Sequence, residues 1–300
     1  MPNRISSSQI FQFGQRSVAE AREREVNSAE KASTMRGITR ASQDPQSWIK
    51  AASLKDDLQI GESISKNASL AQHSLNTTET LLAQVQENVQ RAYEIAIAAS
   101  GSDVIGSANR KAVLTDAENL FDSTIQTLNT RYANRTLLAG LKSQGNAFDK
   151  DGNYIGDGQD FEIEIARGLT VPVNINGARA ILGEGVPEGE NILDSMKSLI
   201  KGLREDDPTQ IRDTLDRLQR GNAQVSLARS ELAGRILQVE RAISDFNSSS
   251  IELKDAISKV EDADAIKAFS ELARDQAALK ASMATTEKIL HENPVDILFK

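Results

Sequence analysis

Between residues 64 and 99 the small and apolar side chains recur at intervals alternating strictly between four and three: Ile64, Ala68, Ala71, Leu75, Thr78, Leu82, Val85, Val89, Ala92, Ala96 and Ala99. That period of 3.5 is the seam of a long helix, roughly 54 Å at the usual helical rise, and no strand can satisfy it. One stripe cannot bury itself, so the chain must supply a partner of similar length. Leu232, Ile236, Val239, Ile243, Phe246, Ser250, Leu253, Ile257 and Val260 repeat the same alternation. Two such arms predict an antiparallel helical bundle built from both ends of the chain.

The composition agrees with thin seams. Aromatics are 4% of 300 residues, so burial falls on Ala, Leu, Ile and Val. Ser100, Gly101 and Ser102 stop the first arm, and a second helix follows with Leu114, Ala117, Phe121, Ile125, Leu128 and Tyr132 on one face, ending near Gly140. Across Asp262, Ala263 and Asp264 the phase slips by one residue, which predicts a helix break and a domain boundary. Beyond it Ala265, Phe269, Leu272, Gln276, Leu279, Met283, Thr286 and Leu290 form a new seam. The N-terminal stripe, Phe11, Gly14, Val18, Ala21, Glu25, Ser28, Ala32 and Met35, is weaker and needs a partner, so both terminal segments are expected to order only on assembly. Residues 1–40 carry seven basic and four acidic side chains and residues 251–300 seven and ten, a balance that suits mutual pairing.

The middle differs in kind. Residues 140–190 hold ten of the 18 glycines, and the period drops to two in Phe161, Ile163, Ile165 and again in Leu169, Val171, Val173, Ile175. Asn176-Gly177 reads as a hairpin turn and Pro172 as an edge position. The fold class is therefore mainly α with a β-rich insertion: a terminal helical assembly domain (1–45 with 262–300), a helical-bundle core (46–140 with 190–261) and an outer β module (141–189).

Chemistry is mostly excluded. With no cysteine and only His73 and His291, thiolate and histidine sites have no material, and a net charge of −8 argues against nucleic acid. Gly101 to Ser107 lacks the lysine of a phosphate loop, and Gly156-Asp157-Gly158 and Gly183-Glu184-Gly185 lack the third glycine of a dinucleotide loop. Asp149, Asp151, Gly152, Asn153 and Asp157 imitate a calcium loop but have Asp160 where a bidentate glutamate belongs, and an Asp-Gly turn explains them as well. No enzyme activity, cofactor or metal is expected. No stretch approaches the ~18 apolar residues of a membrane span, so no membrane insertion is expected. The first fifteen residues lack a cleavable signal, which predicts a cytoplasmic chain or one exported without such a signal.

The two ends carry a resemblance. Arg4 to Phe11, Arg40 to Pro45 (with Gln43 in place of an acid), Arg131 to Arg135 with Leu138-Ala139-Gly140, Arg229 to Arg235, Asp262 to Asp264, and Gln276 to Ser282 resemble, in this order, the flagellin family of bacterial flagellar subunits. Ser6-Ser7-Ser8 and the tail Val295 to Phe299 are similar to its hook–filament junction branch rather than to filament flagellin, which stays the alternative. A needle-tip or translocator-like type III-exported protein is the alternative of a different class. The resemblance implies a structural subunit, exported through the flagellar channel, that forms a ring of like subunits between hook and filament and templates flagellin assembly. Its implied partners are further copies of itself, the first junction protein, flagellin and a flagellar export chaperone. The terminal contacts expected in such a ring are Ile5, Ile10, Phe11 and Val18 at one end, Phe269, Leu272, Leu279, Met283 and Leu290 at the other, and Ile297, Leu298 and Phe299 in the tail. The expected bundle core is Leu75, Leu82, Val85, Val89, Phe121, Leu128, Ile236, Ile243, Phe246 and Leu253.

Overall fold

The computed structural model describes residues 7–100, 107–142 and 144–291, with side chains from 12–100, 111–142 and 144–288. Helices α1 (Ser7–Thr34), α2 (Pro45–Ser100) and α3 (Ser107–Leu128) come first. Short strands β1 (Arg131–Tyr132) and β2 (Arg135–Thr136) follow, then β3 (Glu162–Ala166) and β4 (Leu169–Pro172). Helices α4 (Gly177–Leu182), α5 (Ile192–Glu205), α6 (Pro208–Glu261) and α7 (Ala265–His291) complete the chain. The residues form two compact units: unit 1 is Met1–Ile60 with Ser249–Lys300, and unit 2 is Gly61–Ser248. These boundaries lie about fifteen residues inside those expected from the phase slip, because the first turns of α2 and the last turns of α6 cluster with the terminal helices.

The two longest helices start by the same device. Asp44 accepts the Ser47 N–H at 3.1 Å, Asp207 accepts those of Thr209 at 2.9 Å and Gln210 at 3.1 Å, and each is followed by a proline at the first helical position. Helix α7 begins likewise, with Asp264 accepting the Lys267 N–H at 3.1 Å. The break at 262–264 is thus real, and its cause is a new cap.

In unit 2 the expected stripe of α2 is buried from Ala68 to Ala96, with Ile64 and Ala99 half-buried at its ends. Facing residues on α6 begin earlier than the periodic reading, at Ile211, Thr214, Leu218, Gly221 and Val225, and continue through Leu232 and Val239. Helix α5 adds Ile192, Leu193, Met196, Leu199 and Leu203. Heptad spacing does not mark these residues, although an Asn191 cap and apolar residues three and four apart announce the helix.

Two local expectations are corrected. Helix α3 stops at Leu128 rather than near Gly140, because Asn129 turns aside to accept the Ala147 and Phe148 N–H groups at 2.7 and 3.0 Å. The chain then makes a tight β1–β2 hairpin, with Ala133 and Asn134 at φ 48° and 64°. Asn176-Gly177 is not the hairpin turn. Its asparagine caps α4, accepting the Ala178 and Arg179 N–H groups at 2.9 and 3.2 Å, while β3 and β4 are joined at Gly168, whose φ is +72°. Segment 141–189 is also no separate body. Phe148, Ile165, Val171, Val173 and Ile181 belong to the same hydrophobic core as the helices.

Candidate assembly surfaces

Unit 1 places α1 against α7, antiparallel. The pairing face is made of small residues, so the backbones come close: a Cβ on Gly14 would stand 3.0 Å from Thr286, and Ala21, Ser28, Ala32 and Ala268 are buried. Ser28 stays inside by donating to its own helix at the Arg24 and Glu25 carbonyls. The two ends are helices that lie against each other.

The α7 seam read from the sequence divides between two faces. Leu272, Leu279 and Thr286 are half-buried on the pairing face with buried Ala268 and Asp275, whereas Phe269 and Met283 point outward, 52% and 55% exposed. With Ile266, Ala273, Gln276 and Lys280 they make a second stripe at alternating three- and four-residue spacing, all exposed. On α1, Val18 is half-buried and Phe13 exposed. Ile10, Phe11 and Leu290 fall within α1 and α7. Ile5, Ile297, Leu298 and Phe299 lie outside the described residues.

Where α1 and α7 meet the rest of unit 1, the backbone forms a corner. The Gly37 N–H donates to the Glu261 carbonyl at 2.6 Å, Ala263 N–H donates to the Met35 carbonyl at 2.9 Å, and Arg36 bridges Asp262. Lys55 of α2 pairs with the Glu261 carboxylate. Gln43 closes the adjoining turn, its Oε1 accepting the Thr39 and Arg40 N–H groups at 2.9 and 3.3 Å. An acceptor is what that turn requires, and the amide supplies it.

Unit 2 holds most of the expected bundle core. Leu75, Leu82, Val85, Val89 and Leu128 are fully buried and Phe121 nearly so, with half-buried Ile236 and Ile243 packed against them. Half-buried Phe246 lies over Gly61, where a Cβ would meet its ring at 2.5 Å. Half-buried Leu253 belongs to unit 1. A single carboxylate joins α5 to α6: Glu190, 9% exposed, accepts from Arg217 and Arg220 at 2.8 Å each and from Ser195 at 3.0 Å. Burial pushes its carboxyl up, but the hydrogen bonds from Arg220, Arg217 and Ser195 prevail and hold it below the ordinary range.

The calcium-loop imitation resolves into turns, and residues 101–106 of the phosphate-loop imitation lie outside the described residues. Both Asp149 oxygens are taken by Asn153, at 2.8 and 2.9 Å, and Asp157 accepts the Leu141, Lys142 and Gln159 N–H groups. Among the described residues no three His, Cys, Asp or Glu side chains converge on a point, and no helix is long and apolar enough to cross a membrane. His73 is exposed on α2.

Residues 5–143 match the bacterial flagellin N-terminal helical region. The chain is 22% identical to flagellar hook-associated protein 3 of Salmonella typhimurium, over 94% of this chain and 95% of that protein. It is 23% identical to flagellar hook-associated protein 3 of Escherichia coli, over 93% and 94%. The fold is similar to that of flagellar hook-associated protein 3 from Legionella pneumophila, with a TM-score of 0.61 at 15% identity, over 70% of this chain and 98% of that one.

Proposed function

We infer that this chain is a flagellin-family subunit of the hook-associated type, a structural component of the bacterial flagellum without an enzymatic role. The observation that carries this reading is alignment along nearly the whole length with two hook-associated proteins 3. The architecture supports it: paired terminal helices with apolar side chains left facing outward, beside a bundle that completes its own core. Within the flagellum its place is the junction between hook and filament. There, copies of the chain form a ring that templates flagellin, beside the first junction protein, after export with a chaperone. The domain that assembles is 1–45 with 262–300, through Phe269, Met283 and the apolar residues of both termini.

Immunogold labelling on the cells of origin tests the placement. Label confined to the hook–filament boundary is expected. Label along the whole filament would make the chain a filament flagellin, and absence from the flagellum would overturn the reading. In the same strain, deletion of Pro294 to Lys300 is expected to leave hooks without filaments and flagellin in the medium, whereas normal swimming would remove the tail from the assembly surface.

A further inference from the structure

Glu261 is in an unfavourable place. It is the last residue of α6, where the unpaired carbonyls of a helix end already concentrate negative potential, and it is only 7% exposed. A carboxylate confined there costs stability unless a cation answers it. Among the described residues that cation is Lys55, which reaches it from α2 with its own side chain 44% exposed. The Glu261 carbonyl, meanwhile, accepts the Gly37 N–H, and its neighbour Asp262 bridges Arg36. One residue thus joins three segments of unit 1: the exit of α1, the first turns of α2, and the joint between α6 and α7.

The pair that leaves this corner has little to hold it. Its fully buried face is Gly14, Ala21, Ser28, Ala32 and Ala268, with Leu272 and Leu279 only half-buried beside them, so the pair buries little apolar area per turn. Pairing of α1 with α7 therefore depends on how closely and in what register their first shared turns are presented. A closed corner makes that encounter local, and an open one leaves two weak helices on separate tethers.

We propose that Lys55 and Glu261 form an ionic latch that closes the corner and so controls whether α1 and α7 are ordered as a pair. Because Lys55 is partly solvated, the latch is sensitive to salt. The pair is then a conditional element of unit 1, released by loss of one charge without melting of the bundle helices. This holds whatever the chain assembles with.

Hydrogen exchange on the dilute, full-length chain tests it, comparing wild type with Lys55→Met and Lys55→Arg. In Lys55→Met, amides of 14–34 and 265–286 are expected to exchange roughly tenfold faster, while those of 68–96 keep their protection. Lys55→Arg, which keeps the charge, should resemble wild type. Raising sodium chloride from about 0.05 M to about 1 M should accelerate exchange of the pair in wild type and leave Lys55→Met unchanged. Unaltered exchange in Lys55→Met, an equal rise across 68–96, salt insensitivity of wild type, or damage by Lys55→Arg equal to that by Lys55→Met would each overturn the latch.

Discussion

Units 1 and 2 are built on the same 3.5-residue period and use it in opposite ways. In unit 2 the stripe carries Leu75, Leu82, Val85 and Val89, all without exposed area, and large side chains from α3, α5 and the β3–β4 hairpin close over it. In unit 1 the pairing stripe carries Gly14, Ala21, Ala32 and Ala268 with Leu272 and Leu279 only half-buried, and the large apolar residues Phe13, Ile266, Phe269 and Met283 face solvent. Burying a leucine or valine contributes about 1.5–3 kcal/mol, against about 0.8 for one methylene-sized increment. Period alone therefore announces a helix and a partner. The size of the residues on the stripe decides whether the unit stabilises itself or keeps its apolar surface for something else.

The comparison breaks most sharply at Leu82. Replacement by Ala should destabilise unit 2 by about 2–5 kcal/mol, because the site is enclosed and cannot collapse around the lost atoms. Urea unfolding followed by far-ultraviolet circular dichroism measures this. A midpoint equal to wild type would mean that the stripe is not a closed core.

Glu190→Gln should cost less, about 1–3 kcal/mol, since Arg217 and Arg220 lose a charged acceptor but still reach water. The pH dependence gives a sharper readout. The Glu190 carboxyl is held below its ordinary 4.5 when folded, so its contribution is complete above that value and is lost as pH falls through the lower folded value. Acid titration of stability should therefore flatten below about pH 4.5 in Glu190→Gln, and an unchanged acid limb would remove Glu190 from the account.

Gly61→Ala comes next, at about 1 kcal/mol. The new methyl would press on the Phe246 ring at 2.5 Å, but that ring is half-exposed and can tilt. Adding Phe246→Leu to Gly61→Ala should recover part of the loss. If the pair of changes is simply additive, the ring does not lie over that glycine in solution.

Much of this architecture was legible from residue spacing. The α2 stripe, the break at Asp262 to Asp264 and the two β runs around Gly168 all follow from periods and breakers; the stop expected at Gly101 lies outside the described residues. What escaped notice depended on side chains satisfying backbone groups at a distance. Asn129 ends α3 by binding residues 147 and 148, and Asn176 serves as a helix cap although Asn-Gly is also a turn dipeptide. Helix α5, at fourteen residues, is too short to show a heptad repeat, even though its apolar face is well marked. Half of the α7 stripe expected from spacing, Leu272, Leu279 and Thr286, lies on the pairing face, whereas Phe269 and Met283 fit the same spacing but give way there to Ala268 and Asp275. Spacing gives most weight to large residues, and unit 1 turns several of its largest, Phe13, Phe269 and Met283, outward.

That inversion yields the smallest expected effect on folding and the most informative one on function. Phe269→Ala and Met283→Ala remove side chains that are more than half exposed, so neither should shift the stability of the isolated chain by more than about 0.5 kcal/mol. Fluorescence of Trp48, the single tryptophan and a unit 1 residue, follows that unit through the transition. If the outward stripe serves assembly, the double variant folds like wild type yet fails to support filaments in a strain lacking the native chain. Exposed apolar side chains such as Phe269 and Met283 add little to the stability of the monomer, and an assembly contact is the role proposed for them. A double variant that melts several degrees lower would place Phe269 and Met283 in the α1–α7 core instead. One that folds and supports filaments of normal length would show that the stripe is solvent-facing surface only, and the division of labour between the two units would have to be drawn elsewhere.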